Sequence, residues 1–141
     1  MTVPAQSIRM RRGDDVVDAE ISWRSADRQW IVRLESAAVE PVEEHAFDAF
    51  EALCLVRDRL EPLGWRIGVA GAQSGVWPSG MARDQGGGLR AYRMTEEGVG
   101  GLVDTFDPVD PATVTTVAAQ RAEADRLYDA IRRRGVNGGV R

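Results

Sequence analysis

Near the start of the chain, apolar and polar residues alternate in two neighbouring runs, and this pattern limits the possible folds more than any other feature. The apolar positions of the two runs are Val17, Ala19, Ile21 and Trp23, and then Trp30, Val32 and Leu34. A period of two is that of a β-strand with one buried face. The polar residues 25–28 separate the runs, which is typical of an antiparallel hairpin. The pattern therefore predicts a sheet with one face in the core and one in solvent.

Two later segments have the periodicity of amphipathic helices. The first, residues 43–60, carries apolar residues at helical spacing, namely Phe47, Phe50, Leu53, Cys54 and Leu60. Glu43 and Glu44 suit its first turn, where carboxylates favour the positive end of the helix dipole. The second helix is predicted over residues 111–134, with Asp110 as its N-cap. We expect each helix to bury one side.

Three further short strands are predicted, at residues 65–70, 89–94 and 102–106. Strands that are grouped together, with helices outside the run, indicate an α+β fold. We expect an antiparallel sheet of four to five strands with two helices packed on one face, in the order β-β-α-β-β-(β)-α. The length of 141 residues suits one domain. The predicted organisation is a flexible N-terminal segment at 1–15, a single α+β domain at 16–134 and a flexible tail at 135–141.

The composition excludes several kinds of chemistry. All 18 basic residues are arginines, so a lysine nucleophile, a Schiff base and the lysine of a phosphate-binding P-loop are excluded. The single cysteine, Cys54, excludes an intramolecular disulfide, and the single histidine, His45, excludes a metal centre with several histidines. We expect Cys54 in the core and His45 at the surface. We predict no catalytic residue, no metal site and no cofactor.

Charge and hydropathy favour a cytoplasmic protein. The N-terminus lacks the apolar stretch of a signal peptide, and no run approaches the roughly 18 apolar residues of a membrane span. The formal net charge of -4 argues against a dedicated nucleic-acid-binding protein, which usually has a basic domain. We therefore expect a cytoplasmic location, with neither a membrane nor a nucleic acid as partner.

Acidic and basic residues are segregated along the chain. Residues 35–61 hold eight acidic residues and two arginines, and residues 96–130 hold the same numbers. Between them, residues 65–95 hold four arginines and one aspartate. Two interpretations stay open. The arginines pair with the acidic helices inside the fold, or they form an anion site or a two-signed surface for a protein partner.

Residues 71–92 form the most specialised segment of the sequence. The segment is too long and too rich in glycine for a plain hairpin connection, and long loops in compact domains are often functional. Three consecutive glycines at 86–88 permit close approach of the backbone to a ligand or another chain. The candidate binding residues are Trp77, Ser79, Met81, Arg83, Asp84, Arg90 and Tyr92. A structural loop that covers the sheet and a binding surface both remain open.

Part of this segment resembles a stretch of small uncharacterised proteins of actinobacteria. The matching residues are Trp-Pro-Ser-Gly-Met-Ala-Arg-Asp at 77–84, then the glycines at 86–88, and Ala91 and Tyr92. Residues 116–121 are similar to the C-terminal helix of those proteins. The resemblance covers residues 45–130. It implies a high-GC bacterial source and an ordered loop, and it implies no particular activity.

Two classes of function fit these observations. The first is a non-enzymatic acidic protein-interaction module, by analogy with bacterial immunity proteins and small adaptors, that binds a protein partner or a second copy of itself. The second is a domain, including an enzyme, that binds a small molecule or anion. In it Trp77 or Tyr92 stacks on a ring, and Arg83 and Arg90 bind the anion. The lack of a recognisable catalytic set favours the first class.

Overall fold

The structure is a computed structural model that describes residues 3–139 and the side chains of residues 3–135. Within this range the strands are β1 (Ala5–Arg12), β2 (Asp15–Ala26), β3 (Gln29–Ser36), β4 (Val39–Ala46), β5 (Arg66–Ile67), β6 (Val76–Trp77), β7 (Arg90–Thr95) and β8 (Gly98–Asp104). The α-helices are α1 (Ala49–Leu60), α2 (Gly80–Asp84) and α3 (Val117–Gly139), and single 3₁₀ turns lie at Glu61–Leu63, Ala70–Ala72 and Pro111–Thr113. The strands form two antiparallel sheets, ordered β4-β3-β2-β1-β5 and β6-β7-β8. The predicted α+β class is confirmed, although the order of its elements differs.

The hairpin that the alternating runs predict is confirmed. β2 and β3 pair antiparallel, and Ile21 lies opposite Leu34 in the core. The connection is shorter than expected, because only Asp27 and Arg28 lie between the strands. Both residues have positive φ angles, of 52° and 65°. This conformation matches the twist of the strands in a two-residue hairpin turn.

Residues 5–12 form a strand, β1, within the segment 1–15 for which the sequence predicts no strand, and residues 1 and 2 lie outside the described residues. β1 pairs along its whole length with β2 and places Ile8 and Met10 in the core. On its other side it pairs with β5, so it is an inner strand of the sheet. Only two apolar positions alternate here, and arginines surround them. Such a short alternation does not stand out in a sequence.

The first helix begins later than predicted, because residues 39–46 belong to β4. Glu43 and Glu44, expected in the first turn of the helix, therefore lie on a strand. β4 is an edge strand of the larger sheet and pairs with β3 on one side. Pro41 is compatible with this position, because an edge strand leaves one side of its backbone without ladder hydrogen bonds.

Asp48 marks the start of α1. Its Oδ1 accepts a hydrogen bond from the Glu51 backbone N–H at 2.8 Å, which satisfies one of the unpaired donors of the first turn. Phe47, predicted on the apolar side of the helix, precedes this cap and is 69% exposed. The structure therefore removes Phe47 from the predicted core.

The main core lies between α1 and the larger sheet, because α1 packs on β3 and β4. Its members include Met10, Ile21, Val32, Leu34, Leu53, Val56, Leu60, Trp65 and Ile67. Cys54 is buried as predicted. Burial raises the pKa of its thiol to about 11, so the thiol stays protonated at neutral pH.

The second sheet departs from the single sheet that the sequence predicts. β6 and β7 pack against both α1 and α3. In one cluster Val76 and Ala91 pack with Phe50 of α1, and in another Met94 packs with Leu127 of α3. β6 has two residues and β8 is rich in glycine. Neither strand therefore carries an alternation that identifies a separate sheet.

The last helix also differs from its prediction at both ends. It begins after Thr116, whose Oγ1 accepts a hydrogen bond from the Ala119 N–H at 3.1 Å. Asp110 instead caps the 3₁₀ turn at Pro111–Thr113. The helical backbone continues to Gly139, where a tail was expected, and residues 140 and 141 lie outside the described residues. Within the described part of the chain, no helix has the length and apolar character needed to cross a membrane.

A buried polar cross-link joins α1, α3 and the smaller sheet. Arg57 Nη1 donates to Gln120 Oε1 at 2.5 Å, and Arg57 Nη2 donates to the Thr115 carbonyl at 2.8 Å. The Gln120 side-chain NH₂ donates to the carbonyls of Gly71 and Val76, each at 2.7 Å. Burial lowers the pKa of Arg57. These bonds fix the position of the smaller sheet, and with it the segment 71–92.

Candidate functional site

The segment 71–92 is more regular than the aperiodic loop expected from its sequence. It contains β6, α2 and the start of β7. Ser79, one of the candidate binding residues, is the N-cap of α2, and its Oγ accepts a hydrogen bond from the Ala82 N–H at 3.0 Å. Asp84 is the last residue of α2 and is exposed.

Arg83 fastens α2 to the start of α1. Its Nη1 lies 3.0 Å from Asp48 Oδ2 and 3.7 Å from Glu51 Oε2. Its guanidinium also lies 5.3 Å from the centre of the Phe50 ring. Asp48 is 1% exposed, so Arg83 neutralises a carboxylate that is nearly removed from water. This contact supports pairing between the basic segment and the acidic helix, the first of the two interpretations of the charge pattern.

Two of the three consecutive glycines, Gly87 and Gly88, approach distant parts of the same chain. The Gly87 carbonyl accepts a hydrogen bond from the Ala49 N–H at 2.7 Å. A Cβ on Gly87 would lie 2.5 Å from Trp30 Cζ2, and one on Gly88 would lie 2.7 Å from Asp48 Oδ1. Both glycines have positive φ angles, of 64° and 73°. Glycine therefore serves the internal packing of the segment here.

Trp77 lies inside this packing. Its ring meets the Phe50 ring edge to face at 5.1 Å. The guanidinium groups of Arg83 and Arg121 lie 5.6 Å and 5.7 Å from its centre. Trp77 therefore links α1, α2 and α3, and it does not line either of the two pockets described next.

A groove of about 440 Å³ runs between α2 and the β7–β8 hairpin. We call it the hairpin groove, and its lining residues are Ser79, Met81, Ala82, Gln85, Gly86, Leu89, Arg90, Tyr92 and Leu102. Tyr92 and Leu102 are paired across the two strands. Met81 is 70% exposed and Leu102 is 49% exposed. The groove thus brings together four of the candidate binding residues, namely Ser79, Met81, Arg90 and Tyr92.

A second pocket of about 270 Å³ adjoins the hairpin groove, because Leu89 and Arg90 line both. We call it the end pocket, and its other lining residues are Gln6, Trp23, Asp104, Phe106 and Asp107. The rings of Trp23 and Phe106 are stacked, with centres 4.3 Å apart and planes inclined by 11°. The sequence gives no sign of this pocket, because β1, β2 and the chain after β8 contribute to it from distant positions.

Arg90 lies where the two pockets meet. It is opposite Asp104 across β7 and β8, and its Nε lies 3.3 Å from Asp104 Oδ1. Both side chains are largely exposed, so their attraction is weak. Arg83 lines neither pocket. The structure therefore does not bring Arg83 and Arg90 together around one ligand.

The described residues contain no group of three or more His, Cys, Asp or Glu side chains placed to hold a metal ion. No protein-family model matches the chain, and no curated protein matches its sequence. The resemblance to small actinobacterial proteins therefore stays a prediction.

Proposed function

We propose that the protein is a non-enzymatic interaction module that binds an extended apolar segment of a partner protein in the hairpin groove. The observation that carries this proposal is the groove itself, with the exposed apolar side chains of Met81 and Leu102 on its lining. Exposed apolar surface beside a concave site is typical of protein-interaction sites. Such a module suits the role of a cytoplasmic adaptor or of an immunity protein.

The charges near the groove favour an apolar ligand over a small anion. An anion is held best by guanidinium groups whose hydrogen bonds are available to it. Arg83 has Asp48 at 3.0 Å and lines neither pocket, so Arg90 is the one arginine on the hairpin groove. An anion site at these two arginines therefore has less support than the binding of an apolar segment in the hairpin groove.

The nearby edge of β8 favours a different protein over a second copy of this chain. β8 lies at the edge of the smaller sheet, and edge strands are the usual place where two copies pair. Its register with β7 shifts between Tyr92 and Met94, so that Gly100 and Gly101 lie opposite one residue. A bulge of this kind disturbs the regular ladder that a second copy needs.

The proposal is tested by selecting random peptides displayed on phage against the immobilised protein. We expect the wild-type protein to enrich related peptides, and the Leu102→Asp variant to lose them because a carboxylate is placed on the apolar groove. Leu63→Asp is the matched control, because Leu63 is also an exposed leucine, with 59% of its surface accessible. It lies just after the C-terminal end of α1, whereas Asp48 caps the N-terminal end. Failure of the wild type to enrich any peptide, or equal enrichment by Leu102→Asp, contradicts the proposal.

A further inference from the structure

The end pocket combines aromatic, acidic and amide side chains in its lining. Trp23 supplies an apolar wall, with its ring stacked on the buried ring of Phe106. Two acidic residues, Asp104 and Asp107, line the same pocket, as does Gln6. Aromatic faces and carboxylates both attract cations.

The balance of charge in the end pocket is negative. Arg90 is the one basic residue on its lining, against Asp104 and Asp107. The pair between Arg90 and Asp104 is an exposed one, so an incoming cation competes with it at little cost. Among the described ion pairs none involves Asp107. Its carboxylate is therefore available to a ligand.

The position of the end pocket connects it with the hairpin groove. Because Leu89 and Arg90 line both, one extended segment reaches both, since a strand advances about 3.3 Å per residue. From this juxtaposition we infer that the partner segment places one lysine or arginine side chain in the end pocket, while its apolar residues occupy the hairpin groove. This inference rests on the proposed function and specifies the chemistry of the partner.

The charge of the whole chain supports a basic partner. The formal net charge is -4, and the acidic residues are concentrated before and after the basic segment. A net negative protein attracts a positively charged segment at a distance and speeds its association, most strongly at low salt. An acidic partner segment bound through Arg90 is the competing outcome.

The selected peptides themselves provide the test. We expect them to share apolar residues and one lysine or arginine at a fixed spacing. Replacement of that basic residue by alanine is expected to weaken binding about tenfold, as measured by fluorescence polarisation. Asp104→Asn together with Asp107→Asn is expected to weaken binding of the unchanged peptide to a similar extent. Asp14→Asn, in the turn between β1 and β2, is the control and is expected to leave affinity within about twofold.

The outcomes separate this inference from the proposed function. If enrichment depends on Leu102 but the peptides carry no basic residue, or carry an acidic one, the inference is overturned. The proposal that the hairpin groove binds a partner segment then still stands. The same conclusion follows if alanine at the basic position leaves affinity unchanged, a result that does not depend on how the protein variants fold. If the wild-type protein enriches no peptide, both the inference and the proposed function fail.

Discussion

At the scale of single residues, the two arginines that the sequence offers as an anion site have different environments. Arg83 lies against a buried carboxylate and two aromatic rings. Arg90 is 65% exposed and faces a carboxylate that is 59% exposed. An ion pair with a buried member is costly to break, because the remaining charge has no water around it. An exposed pair contributes little.

These environments predict different costs for the same substitution. Arg83→Ala leaves Asp48 buried without its cation, and we expect it to lower the free energy of unfolding by about 2 kcal/mol or more. Arg90→Ala is the matched control, and we expect a loss of about 1 kcal/mol at most. Chemical denaturation of both variants measures the difference. Equal losses would show that Arg83 does not fasten the segment to α1.

At the scale of elements, Gly87 and Gly88 allow the segment after α2 to pack closely against its neighbours in the fold. Gly87 and Gly88 both have positive φ angles and lie against Trp30 and Asp48. The Thr105 hydroxyl donates to the Gly88 carbonyl at 2.7 Å, which fixes the same segment from the other side. The wall of the hairpin groove therefore depends on this close packing.

Two glycine substitutions test this packing. Gly87→Ala places a methyl group 2.5 Å from the Trp30 ring, and we expect it to lower the free energy of unfolding by about 2 to 4 kcal/mol. Gly80 begins α2, and a Cβ there meets no atom within 4 Å. We therefore expect Gly80→Ala to be neutral or to stabilise by up to about 1 kcal/mol. Thermal unfolding distinguishes them, and a harmless Gly87→Ala would contradict the close approach.

Local patterns predict some of these elements better than others. The β2–β3 hairpin is predictable because its alternation spans several positions on both strands. β4 is not, because Pro41 and three charged residues are tolerated only through its position at the sheet edge. α2 is also missed, since a five-residue helix is too short to show a period.

At the scale of the whole molecule, the hairpin groove and the end pocket lie where β1 and β2 of the larger sheet, β7 and β8 of the smaller sheet, and α2 come together. Of the candidate binding residues that the sequence offers in segment 71–92, Ser79, Met81, Arg90 and Tyr92 line the hairpin groove. Trp23 and Phe106 belong to the adjoining end pocket, and their stacking depends on tertiary packing. No spacing in the sequence indicates such a contact, so the end pocket was not predictable.

Hydrogen exchange of the protein with and without a selected peptide is the most direct test of binding in the hairpin groove. Binding in the hairpin groove is predicted to slow the exchange of backbone amides in α2, β7 and β8, because the peptide excludes water from these elements and restrains their opening. The amides of β4 and of the β2–β3 turn are predicted to exchange unchanged, and Leu102→Asp is predicted to abolish the protection. Protection confined to β4 or α1, or binding without protection of α2 and the hairpin, would contradict the account.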